Sequence, residues 1–154
     1  MSGFAFSQQD VLTIHAVAIA RFGGIDGVRD EGILQSALAQ PFQTFGDKHL
    51  YPDPVEKACR YAFGIISGHP FLDGNKRTGA ALLGAYLRVS GIDFKPDHAS
   101  FLETILGVAD GAVGYDELVR WVRNGVEGPN LSFRACVMVV LARCARELGF
   151  IRSG

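Results

Sequence analysis

Between Lys76 and Val89 the chain places Ala80, Ala81, Leu82, Leu83, Ala85, Tyr86, Leu87 and Val89 on nearly every side of a helical wheel. A helix that is apolar all round has no face to give to water, so this one must be central, with other helices around it. Gly79, Ala80 and Gly84 strip bulk from it and let a neighbour approach closely. The neighbours are visible as well. Val55, Ala58, Cys59, Ala62, Phe63 and Ile66 recur at i, i+3 and i+4 as one apolar stripe, from which Lys57, Arg60 and Tyr61 fall away. Ser7 with Asp10 three residues on predicts a capping box that opens a first helix bearing Val11, Ile14, Ala18 and Phe22, stopped at Gly23-Gly24. A short second helix carries Ile33, Leu34, Ala37 and Leu38 and ends before Pro41. Further on, Asp97 caps a helix with Phe101, Leu102, Ile105 and Leu106, and another bears Leu118, Trp121 and Val122. The expected fold is all-α, a compact helical bundle.

The stretch from Pro41 to Pro54 has three prolines, a glycine, two phenylalanines and no period, so it reads as a long loop. Long ordered loops often carry function. With 154 residues the chain holds one domain. We assign it to residues 1–126, followed over 127–154 by a linker and a C-terminal helix that packs on the domain or on a partner. The linker character already begins in the Gly125–Asn130 stretch, and the last helix presents Phe133, Cys136, Val137, Val140, Leu141, Cys144 and Leu148 on one broad face.

Fifteen Lys and Arg against sixteen Asp and Glu leave a formal charge of -1, which removes the bulk electrostatic case for a nucleic-acid coat or a membrane-surface protein. Cys59, Cys136 and Cys144 are an odd number without CxxC spacing, and support neither a disulfide framework nor a zinc site. The start, MSGFAFSQQD, lacks the positive and apolar regions of a secretory signal, and no apolar run approaches the ~18–20 residues of a membrane span. A cytoplasmic protein is expected, with no direct nucleic-acid contact and no membrane.

One segment stands apart from this packing pattern. His69-Pro70-Phe71-Leu72-Asp73-Gly74-Asn75-Lys76-Arg77 gathers an imidazole, a carboxylate, an amide and two cations at the start of the central helix. Unpaired N–H groups and the positive end of the macrodipole already favour an anion there. Two cations at that end oppose the dipole, so Lys76 and Arg77 make sense if something negative, such as phosphate, is bound. Gly74 has no Cβ to keep a phosphate from the amides. Asp73 offers a hard oxygen suited to Mg²⁺, which takes one or two carboxylates and completes its shell with phosphates and water. Histidine titrates near neutral pH, so His69 can take a proton from a hydroxyl nucleophile. Phe71 would anchor the loop in the core. These are the parts that phosphoryl transfer needs.

HPFLDGNKR closely resembles the signature of the Fic/Doc family, H-x-F-x-[DE]-G-N-[GK]-R, and Lys76 is similar to the death-on-curing (Doc) branch. Leu12 to Gly24, Gly27 to Pro41, Tyr51-Pro52 and Leu106 to Val122 resemble the same branch, so residues 5–124 are covered. The resemblance implies an all-α Fic fold with His69 as base, Asp73 as Mg²⁺ ligand, and Gly74, Asn75, Lys76 and Arg77 as the nucleotide phosphate site. Adenylyl-transferring members have Gly where Lys76 stands and a second Arg three residues after Arg77, where this chain has Ala80. The expected reaction is therefore that of a kinase, with ATP as co-substrate. In the toxin branch the target is elongation factor Tu, a translation factor, and the toxin is silenced by a Phd-like antitoxin. The inhibitory motif [ST]-x-x-x-E-[GN] is absent: Glu31-Gly32 and Glu127-Gly128 are preceded, four residues before each glutamate, by Gly27 and Arg123.

Other readings stand beside these. The enzyme could transfer AMP instead of phosphate, or be an inactive nucleotide-binding regulatory module. The motif could be a structural loop with Asp73 as a cap and solvated Lys76 and Arg77, or His69 and Asp73 half of a metal site. His15 reads as a satisfied, partly buried histidine, and His49 and His98 as surface residues. Arg29, Asp30 and Glu31 read as a polar helix start, with Glu31 a candidate support for the site. Thr44, Phe45 and Tyr51 could border the nucleotide or dock a target strand by edge pairing, as Fic flaps do.

Overall fold

A computed structural model describes residues 3–126. Among these residues six α-helices make up the bundle: α1 (Gln8–Phe22), α2 (Glu31–Ala39), α3 (Pro54–Gly68), α4 (Asn75–Val89), α5 (His98–Asp110) and α6 (Tyr115–Val126). The fold is all-α, as expected. A two-stranded antiparallel ribbon, β1 (Thr44–Phe45) with β2 (Lys48–His49), is the only sheet among the described residues. Cysteines 136 and 144, the linker beyond Val126 and the expected C-terminal helix lie outside them. Gly125 and Val126, expected to begin the linker, instead complete α6. No helix among the described residues is long and apolar enough to cross a membrane.

Local signals set the helix ends. Ser7 accepts from Asp10 N–H and Asp10 answers on Ser7 N–H, which is the expected capping box, and Gly23 ends the helix at φ 84°. Asp53 and Glu56 form a second box, with Pro54 in the first turn of α3. Asp97 caps α5.

The central helix shares its place. Ten residues of α4 are buried, and it packs against α1, α3 and α5. Helix α3 in turn touches α2, α4, α5 and α6. The two lie so close that a Cβ on Gly79 would stand 2.5 Å from Ile66 Cγ1 and 3.1 Å from the Ala62 carbonyl oxygen. Tyr61, expected off the apolar stripe, is fully buried. The N-terminal segment covers it: Tyr61 OH accepts from Phe6 N–H, and Phe6 and Tyr86 ring it at 5.2 and 5.3 Å. His98, expected at the surface, is half-buried in the first turn of α5, while His49 is exposed on β2.

The long segment between α2 and α3 is a 3-10 turn at Gln40–Phe42 followed by the ribbon, not an unstructured loop. Arg60 fixes its two ends. Its guanidinium donates to Gln40 Oε1 at 2.9 and 3.1 Å and lies over the rings of Tyr51, Phe63 and Tyr115.

Asp53 also ties α6 to the start of α3, accepting from Arg123 at 2.7 Å. Burial alone would push its carboxyl up, but the Glu56 N–H, Arg123 and Val55 N–H outweigh burial and hold it below the ordinary 3.8. A carboxylate depressed in the folded state adds stability above its unfolded pKa, and that share is lost as pH falls through the folded value. The pair is 38% and 48% exposed, so the charge contributes less than about 1 kcal/mol. Asp53→Asn keeps a good N-cap. Urea midpoints at pH 6 and pH 3 should show wild type losing stability on acidification more steeply than this variant. Equal slopes would refute the assignment.

Candidate active site

The nine-residue motif spans the end of α3, a turn and the start of α4. His69 is the C-cap of α3, at φ 51° and ψ 54°, and its N–H still donates to Ile65 O at 3.2 Å. It is the one non-glycine residue at positive φ among the described residues. That conformation costs on the order of 1 kcal/mol and persists only where the surroundings enforce it. It breaks the helix there, and His69 is exposed.

The turn is gripped on both sides. Phe71 pairs with Val28 in an isolated antiparallel bridge, Leu72 N–H donates to Gly27 O, and Pro70 O accepts from the N–H groups of Arg29 and Asp30. Within the turn, the Asn75 amide accepts from Phe71 N–H and donates to Phe71 O, both at 3.0 Å. The Phe71 ring is buried, as expected of an anchor, and lies flat on His15 with centroids 3.9 Å apart.

Gly74 is the N-cap of α4 at φ 75°, and a Cβ there would lie 3.1 Å from Ile19 Cδ1 and 3.5 Å from Arg77. Among the described residues no side chain caps this helix. The N–H groups of Asn75, Lys76 and Arg77 therefore lack intrahelical acceptors at the positive end of the dipole, which makes an anion cradle of main-chain donors. Lys76 stands there partly exposed.

Asp73 has a side chain 15% exposed. One carboxylate oxygen accepts from Gly74 N–H at 2.7 Å and lies 3.8 Å from Arg77, while the other accepts from Ile25 N–H at 3.3 Å. Arg77 is fully buried. Its guanidinium donates to Gly23 O at 2.8 Å and Ala18 O at 3.4 Å, placing a cation at the negative end of α1. The reading of Lys76 and Arg77 as two solvated cations fails on this burial. Of the expected phosphate residues, then, Gly74 is the N-cap, Lys76 is partly exposed beside the first-turn N–H groups, the Asn75 amide bonds the Phe71 peptide group, and Arg77 is buried with Gly23 O and Ala18 O among its partners.

A model of the Fic/DOC family matches residues 5–87, a stretch that contains every residue of this site. The chain belongs to the Fic/DOC family. Toxin Doc of Mycolicibacterium smegmatis is 35% identical over 107 residues, covering 67% of this chain and 80% of that protein. Protein kinase doc of Escherichia phage P1 is 24% identical over 118 residues, covering 77% of this chain and 92% of that protein.

Two residues of this Fic/DOC site escape sequence reasoning. His15 reads there only as a satisfied histidine, and it is buried, but what satisfies it is the motif itself. Its Nε2 lies 2.8 Å from Asp73 O, and since a carbonyl only accepts, that nitrogen carries the proton. Asp26 sits 3.4 Å from the other ring nitrogen. The usable signal is a polar residue on the apolar line of Val11, Ala18 and Phe22, a position that demands a partner. The second is Arg29, whose side chain reaches the end of α3. Asp30 does start α2 as its N-cap, and Glu31 hydrogen-bonds Gln8 instead of the motif. In the ribbon, Phe45 is 83% exposed.

Proposed function

We propose that the chain is a Doc-type toxin, a kinase that transfers the γ-phosphate of ATP to a Ser or Thr hydroxyl of a translation factor of the elongation factor Tu kind, arresting translation in the cytoplasm. A Phd-like antitoxin restrains it. The observation that carries this reading is the conjunction of an exposed histidine, forced off the end of α3, with an uncapped helix N-terminus five residues later. The names of the relatives, Toxin Doc and Protein kinase doc, support the class of activity. Lys76 in place of glycine supports phosphate transfer over AMP transfer.

In this reading His69 takes the proton from the attacking hydroxyl. The first-turn N–H groups of α4 hold phosphate oxygens, Lys76 adds charge beside them, and the exposed ribbon offers its edge to an extended segment of the target. The donor set fits Mg²⁺ brought in by a nucleotide. Asp73 supplies one hard carboxylate with unused lone pairs, and no cluster of three or more metal-ligating side chains forms among the described residues, so the remaining ligands would be phosphate oxygens and water. When bound, the ion neutralises charge on the transferred group.

Label transfer in a cell extract tests the reaction. A protein band labelled from γ-labelled ATP and not from α-labelled ATP is expected. Lys76→Gly should raise the ratio of α to γ label by about tenfold or more, since about 1.4 kcal/mol of changed preference suffices. Labelling of wild type from the α position would make it an adenylyltransferase, and silence from both would favour an inactive module.

A further inference from the structure

The strained conformation of His69 needs an agent that enforces it, and among the described residues the one outside side chain that reaches its peptide group is Arg29. Arg29 Nε donates to His69 O at 2.7 Å and its terminal nitrogen donates to Gly68 O at 3.0 Å. These are the last carbonyls of α3, left without helical partners, at the negative end of its dipole. A planar guanidinium spans two adjacent carbonyls with fixed donors, which fixes their relative orientation and hence the backbone torsions of the residue between them. The Arg29 main chain adds to this, since its N–H donates to Pro70 O at 2.7 Å. Arg29 therefore holds the peptide units on both sides of His69, from 40 residues away in sequence. It is an exposed arginine.

We propose that Arg29 is the positioning residue for His69: by bridging the Gly68 and His69 carbonyls it keeps residue 69 in the left-handed conformation that delivers the imidazole to the reacting hydroxyl. The catalytic part of this rests on the kinase reading above; the conformational part does not. A lysine could carry the charge but offers one compact head where two directed donors are needed.

The test uses the full chain and the variants Arg29→Met and Arg29→Lys. The HN–Hα coupling and the imidazole resonances of His69 are followed by NMR alongside steady-state label transfer. Arg29→Met should move the His69 coupling toward ordinary helical or extended values and lower kcat by about 100-fold, the effect of a misplaced reacting group, with KM for ATP within about twofold of wild type. Arg29→Lys should fall between, and it serves as the readable variant if Arg29→Met does not fold. Unchanged His69 resonances would overturn the proposal. So would a rise in KM with kcat retained, which would make Arg29 a nucleotide contact. If wild type transfers no label at all, the kinase reading fails, and the His69 coupling alone decides whether Arg29 sets this residue.

Discussion

Alanine in place of His69 is expected to slow label transfer by about 10²–10⁴-fold, the usual worth of a positioned general base, while the melting temperature moves by only a few degrees. The fold makes little use of the imidazole. His69 is exposed, and what α3 requires of it is its peptide group, whose N–H donates to Ile65 O and whose carbonyl accepts from Arg29. Alanine keeps both, and because it takes φ 51° less readily than histidine the variant loses those few degrees. Thermal melts and transfer rates on the same preparation check both halves. A variant that kept more than a tenth of the wild-type rate would remove His69 from the role of base.

The second large effect is on stability. Gly79→Val should lower the melting temperature by roughly 10 °C, corresponding to about 3 kcal/mol of overpacking in a domain of this size. A Cβ at position 79 meets Ile66 Cγ1 at 2.5 Å, Ile66 Cδ1 at 2.9 Å and the Ala62 carbonyl at 3.1 Å. The isoleucine can turn; the carbonyl is helix backbone and cannot turn without moving α3. Because α3 ends in His69, any surviving folded variant should also lose transfer activity at low temperature. A melting temperature within a few degrees of wild type would mean that α4 slides freely along α3.

Features whose cause lies within a few residues are legible in the amino-acid sequence. The Ser7–Asp10 box, the Gly23 stop, the Asp97 cap and the bulk-free face at Gly79 are all of this kind, as is the uncapped start of α4. Where the cause is distant, the sequence is silent. Tyr61 sits off the helical stripe, and it is Phe6, Phe42 and Tyr86, all remote in sequence, that enclose it and make it core. The ribbon at 44–49 is two residues per strand, too short for any period to register. Arg77 shares a helix end with Lys76, yet it is buried, and Ala18 O and Gly23 O, to which it donates, are more than fifty residues away. His15 and Arg29 are obscured for the same reason: each serves the motif, across 58 and 40 residues respectively.

Most of the grips on the motif share a property: they take hold of peptide groups. Arg29 holds the Gly68 and His69 carbonyls, its own N–H and that of Asp30 hold the Pro70 carbonyl, Gly27 holds the Leu72 N–H, Asn75 holds both ends of the Phe71 peptide, and His15 holds the Asp73 carbonyl. Side chains are held at Phe71, Asp73 and Arg77, all of which turn inward. A jig that clamps the backbone is blind to what is mounted on its outer side. The side chains at 69, 72 and 76 can then be exchanged without reshaping the backbone, so that on the proposed function a single codon change would alter the reaction while the architecture stays as it was. Enzymes assembled this way should diversify in chemistry faster than in structure.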